Sequence, residues 1–180
     1  KREDFVEACV PILHREVELL RDEGVSIVQV DDPHLCLFVD PDVRRGYEDP
    51  DRAADFAVDM INALVDGFSG IKFAVHLCRR AGARVRGEKH HAGTYGPILA
   101  QLNRLKVQHL TMEFTAAGAD DLESLGRLRD DFELGLGVVD VTPGTKEDAQ
   151  QIAARVEVGA AHRLLRRDVL NRVWRLIDGV

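Results

Sequence analysis

Cysteine is scarce: the 180-residue chain has three, Cys9, Cys36 and Cys78. An odd number spread this widely is not a disulfide framework, so a reducing, cytoplasmic compartment is expected. Long apolar runs are missing too, and none approaches the ~18 residues that a bilayer-spanning helix needs. Positive charge is in deficit. Lys and Arg number 24 against 31 Asp and Glu, a formal net charge of −7, which argues against a dedicated nucleic-acid binder. The N-terminal stretch "KREDFVEACV" has neither an apolar secretory core nor a small-residue cleavage site. It also lacks an initiator Met, as expected of a chain that starts after processing or is a piece of something longer. Internal repeats, low-complexity segments and domain linkers are absent. Residues 1–180 are therefore expected to form one domain with a substantial core.

What is present is a regular alternation of helical and strand-like segments. Residues 2–23 place Phe5, Val6, Cys9, Ile12, Leu13, Val17 and Leu20 at helical spacing, with Pro11 as a potential kink and Gly24 as the stop. "VSIVQVD" (25–31) reads as a buried strand, 52–66 as an amphipathic helix and "IKFAVHL" (71–77) as the next strand. A polar loop follows, then helix 95–105, strand 107–113, a short helix near 120–128 and strand 132–141. Thr145 is expected to cap a helix running to about 162. A last strand at 168–171 and a helix beyond it complete the series. The strands are near-continuously apolar, the pattern of a parallel sheet buried on both faces. Pattern alone leaves two architectures open: a doubly wound sheet, or part of a (β/α)8 barrel, which needs at least ~200 residues to close.

The polar residues of interest fall where strands end. Strand 25–31 ends in Asp31 and Asp32, strand 71–77 runs into His76-Leu77-Cys78, strand 107–113 ends in Glu113, and strand 132–141 carries Asp140. Ligands gather at the C-terminal edge of parallel α/β sheets, so four such endings suggest a site. His76 and Cys78, at i and i+2, project from one face, and with Glu113 they offer the imidazole, thiolate and carboxylate that suit zinc. Each has a plainer reading. His-x-Cys pairs are mostly a packed cysteine beside a hydrogen-bonded histidine, Asp31 and Asp32 equally describe a solvated turn before Pro33, and Glu113 could pair with an arginine. His90 and His91 sit among Arg79, Arg80, Arg84, Arg86 and Lys89 in a loop that reads as solvated surface, able to attract an anion.

Longer stretches carry a resemblance. "IVQVDDP" (27–33), "VHLCR" (75–79), "AGTYGPILAQLNRLKVQHLTMEF" (92–114) and "LGLGVVDVTPGTKEDAQQIAARV" (134–156) are similar, in order and spacing, to motifs of the cobalamin-independent methionine synthase family. The resemblance spans about residues 3–171 and implies a partial (β/α)8 TIM barrel whose first strands are absent from this chain. It implies zinc on His76, Cys78 and Glu113, with Asp31, and Asp32 beside it, binding the amino-acid substrate. The activity implied is methyl transfer to a thiol such as homocysteine, making methionine, from a folate or corrinoid donor. Partners would be those small molecules, with no nucleic acid or membrane, and either a homo-oligomer or a partner chain completing the barrel.

The sequence departs from the family pattern in two of its residues. "LNRVWRL" (170–176) puts Trp174 where the family has a fourth, cysteine ligand, and Thr142 stands near the place of a catalytic histidine. Cys36 is either a replacement sulfur or part of the core. The alternatives to a methyltransferase are a non-catalytic relative acting as a binding or assembly subunit, and a zinc thiol transferase using another electrophile such as an epoxide.

Overall fold

The computed structural model describes residues 2–79, 87, 91–115, 121–140 and 144–164. Strand 168–171, the helix after it, Trp174, Thr142, Arg80, Arg84, Arg86, Lys89 and His90 lie outside the described residues. The chain opens with helix α1 (Arg2–Asp22), which runs through Pro11 as one element, and reaches β1 (Ile27–Asp31). Three helices then follow before the next strand: α2 (Pro33–Leu37), α3 (Pro41–Arg44) and α4 (Pro50–Val65). After β2 (Lys72–Leu77), a 3-10 turn (Gly96–Ile98) leads into the short helix α5 (Leu99–Leu102) and β3 (His109–Glu113). A second 3-10 segment (Leu122–Arg127), β4 (Glu133–Gly137) and α6 (Ala149–Leu164) complete the described elements.

The strands form one sheet in the order β1-β2-β3-β4, every neighbouring pair parallel. Sequential order without reversal is the arrangement of a barrel segment. A doubly wound sheet would reverse direction at a switch point. The partial-barrel expectation therefore holds, and the doubly wound alternative falls.

Three aspartates explain why α2, α3 and α4 begin where they do. Each precedes a proline: Asp32-Pro33, Asp40-Pro41 and Asp49-Pro50. Their carboxylates accept from Leu35 N at 3.1 Å, Asp42 N at 2.7 Å and Arg52 N at 2.9 Å. An N-cap carboxylate followed by proline at the first helical position satisfies one free amide and removes another donor that would have had no partner. The expected cap at Thr145 is a correction: α6 starts four residues later, where Asp148 Oδ1 accepts from Gln150 N at 3.2 Å. The delay has a local cause. Glu147 is held by Arg155 and accepts from Asp140 N at 2.5 Å, which keeps the segment before α6 out of the helix.

The core lies on one face of the sheet. Phe73, Val75 and Leu77 of β2 and Leu110 and Met112 of β3 point toward Leu35, Val58, Ile98, Leu102, Leu125 and Leu128, all essentially inaccessible. The other face departs from the expectation of burial on both sides. Ile27, Gln29 and Asp31 of β1 alternate as exposed positions, and Lys72, His76, His109 and Thr111 are half-buried. Polar residues at most of these positions make this face unable to form a dry core by itself. Helix α1 packs on α4 through Val17, yet leaves Phe5 and Ile12 71% and 64% exposed. Among the described residues no helix is long and apolar enough to cross a membrane.

Candidate functional site

Register brings the strand endings together. Asp31 pairs with His76, His76 with Thr111, and Glu113 with Gly137, so the polar residues of β1, β2 and β3 share one face and one end. Gly135 and Gly137 give β4 no side chains there, and β3 lies close against them: a Cβ on Gly135 would lie 3.0 Å from His109 Nε2, and one on Gly137 2.9 Å from Met112 O.

His76 Nδ1 is 3.2 Å from Asp31 Oδ1, and the same oxygen accepts from Gln29 Nε2 at 2.9 Å. Asp31 is 68% exposed and His76 about a third exposed. Asp32, the next residue, belongs to the opposite side of the sheet, as strand alternation requires. It caps α2 and lines a cavity of about 420 Å³ between α1, α2 and α4, walled also by Phe38, Tyr47, Phe56 and Met60. Burial raises the Asp32 carboxyl above its ordinary pKa, with the bond from Leu35 N opposing it in part. The structure thus separates two aspartates that the sequence presents as a pair.

Cys78 follows β2 directly and is half-buried. Glu113 Oε2 accepts from the backbone N–H of Arg79, the next residue, at 2.6 Å. The donor types of His76, Cys78 and Glu113 fit zinc, and all three stand at one rim. Among the described residues, however, no three His, Cys, Asp or Glu side chains are gathered closely enough to hold a metal ion.

Directly behind Glu113 is a buried pair that the sequence reading placed on the surface or did not mark. Arg79, expected in a solvated basic loop, has no accessible surface. Its Nη1 donates to Glu113 O at 2.6 Å, its Nη2 to Gly93 O at 2.9 Å, and its guanidinium lies 4.4 Å from the Tyr95 ring centroid. Tyr95 Oη accepts from Glu113 N and donates to Glu113 O, both at 3.0 Å. A buried guanidinium persists because carbonyl acceptors and an aromatic face replace water. Gly93 is needed where Arg79 docks: its φ is +138°, and a Cβ would sit 2.2 Å from Val39 O.

The two readings of Cys36 separate here. It is fully buried in the core with Sγ 4.0 Å from Tyr95 Oη, and burial pushes its thiol up to about 12. It is a core residue. His91 is likewise no free surface group, since its Nδ1 lies 3.1 Å from Asp40 Oδ2. Asp40 is buried, which alone would raise its pKa. Bonds from Asp42 N, His91 and Ala92 N outweigh that and hold it below the ordinary value. Asp40 and its Asp-Pro signature were legible in the sequence, whereas Arg79 and Tyr95 carried no local signal of burial.

Comparison with known proteins gives a consistent result. Residues 1–174 match the family model described as "Cobalamin-independent synthase, Catalytic domain". A methionine synthase of Saccharolobus islandicus (strain L.S.2.15) is 28% identical over 173 residues, covering 96% of this chain and 43% of that protein. Methionine synthases of Thermococcus kodakarensis and Pyrococcus furiosus are each 26% identical, over 86% and 87% of this chain and 38% of theirs. The chain thus spans about two-fifths of the length of these relatives.

Proposed function

The chain belongs to the cobalamin-independent synthase catalytic-domain family, and from that membership we propose that it carries the thiol-binding, metal-binding part of a methyltransferase site. The reaction is methyl transfer to a thiol such as homocysteine, from a methylated folate or a corrinoid. The observation that carries this reading is the register Asp31–His76–Thr111, with Cys78 and Glu113 at the same rim, in a chain that matches a catalytic domain over residues 1–174.

His76, Cys78 and Glu113 would hold zinc. Zinc held by these donors would supply the positive charge that favours the thiolate form of a substrate thiol. The remaining steps belong to the chain itself. Asp31, exposed and anionic, receives the ammonium group of an amino-acid substrate and fixes its orientation. The Arg79–Tyr95 pair holds the backbone of Glu113, so its carboxylate starts from a defined position.

The test is zinc content by elemental analysis of the purified chain after equilibration with one equivalent of zinc and dialysis. About one zinc per chain, lost in His76→Ala, supports the reading. A chain that retains no zinc overturns it. A second reading, a binding or assembly subunit, is favoured by the open polar face and by exposed Phe5 and Ile12 on α1. Exposed sheet edges seek partners. Sedimentation velocity that finds only monomer speaks against that second reading and against the homo-oligomer.

A further inference from the structure

We propose that Gln29 is a positioning residue: it fixes Asp31, and through it the His76 imidazole, so that Nδ1–H is spent on the carboxylate and Nε2 is the free donor atom at the rim. Gln29 lies two residues before Asp31 on β1, so both side chains share the polar face. Its register partner on β2 is Ala74, whose methyl group leaves room for a long amide side chain to lie across the sheet. Gln29 uses both ends of that amide. Nε2 donates to Asp31 Oδ1 at 2.9 Å, and Oε1 accepts from Thr111 Oγ1, two strands away on β3, at 3.5 Å.

Asp31 Oδ1 takes its second bond from His76 Nδ1 at 3.2 Å. An ionised carboxylate only accepts, so in the neutral ring the proton belongs to Nδ1 and the lone pair to Nε2. A histidine that gives one N–H to a carboxylate is fixed in tautomer and orientation and is a more basic ligand through its other nitrogen. Asp31 divides its labour. Oδ1 serves His76, while Oδ2 has no hydrogen bond among the described residues and is left for the ammonium group of the substrate. Because that side chain is 68% exposed, packing does not hold it, and the Gln29 amide does.

The metal-affinity half of this proposal rests on the zinc reading above; the tautomer half does not. The test uses the intact chain and the variants Gln29→Leu and Asp31→Asn, each checked for folding by circular dichroism. Gln29 is exposed, so removing its amide costs little packing. In the zinc-free protein above pH 7.5, 15N NMR of the imidazoles is expected to show His76 as the Nδ1–H form in the wild type and as a mixture in Gln29→Leu. In chelator competition, Asp31→Asn is expected to weaken zinc binding about 10–100-fold and Gln29→Leu about tenfold. Gln29→Leu with the wild-type tautomer overturns the proposal, and so does Gln29→Leu with wild-type zinc affinity. If the wild-type chain takes up no zinc, the zinc reading fails, and the tautomer comparison alone decides the role of Gln29.

Discussion

Replacing Tyr95 with phenylalanine removes one oxygen from the support beneath Glu113, and the structure says which of its bonds matters. The ring stays: its packing at 5.4 Å from Phe114 and its stacking under Arg79 need no hydroxyl. The bond donated to Glu113 O is also covered, because Arg79 Nη1 reaches the same carbonyl at 2.6 Å. The bond accepted from Glu113 N, at 3.0 Å, is lost, together with the longer contacts from Arg79 Nη1 at 3.5 Å and Cys36 Sγ at 4.0 Å. Removing an acceptor from a part-buried amide costs up to about 1–3 kcal/mol, more than losing a bond whose partner keeps another donor. A midpoint value of ~2 kcal/mol lowers Tm by about 4–8 °C in a chain of this size. Burial pushes the Tyr95 hydroxyl well above its ordinary pKa, so it remains a neutral donor across the working range and the effect is independent of pH. The assay is urea unfolding followed by circular dichroism, with a lower midpoint at unchanged slope. A Tyr95→Phe chain as stable as the wild type, or more so, would refute the argument, since relief of phenol desolvation would then outweigh the lost bond.

Other consequences follow from the same geometry. Bonds hold the Asp40 carboxyl below its ordinary value of 3.8, so its contribution to stability is fully present above that pH and is lost as pH falls through the folded value. Asp40→Asn, which can still cap α3, should therefore lower Tm at pH 6. It should converge with the wild type once pH has fallen below the folded value, and a constant difference across that range would contradict the linkage. The cysteines should label unequally. With iodoacetamide at pH 8 and no metal, Cys9 and Cys78 are modified in the folded chain and Cys36, its thiol pushed up to about 12, only after unfolding. Peptide mass spectrometry reads this directly, and labelling of Cys36 at the rate of Cys78 would place it outside the core.

The sequence by itself determined the alternation of strands with helical segments and the strand endings that bring Asp31, His76 and Glu113 to one rim, while the helices expected at 95–105 and 120–128 contain 3-10 turns. Those features are local. Side-chain period, proline and an aspartate before it act on neighbours, so β2 and α4 were legible to within two residues. The three Asp-Pro pairs were as plain a signal, and reading them as caps would have found α2 and α3. Family motifs implied a zinc-ligand set that spacing could only suggest.

Tertiary structure decided the rest. Whether His76 meets Asp31 depends on a pairing of residues 45 apart, and whether Arg79 is buried depends on Glu113, 34 positions away. Register and burial arise when distant segments exclude water together, and no window of neighbouring residues contains that information. The same holds for Cys36, which only the packed core could assign, and for the face of the sheet left open. A period of two marks that face as polar, but only the arrangement of all four strands shows that nothing among the described residues covers it.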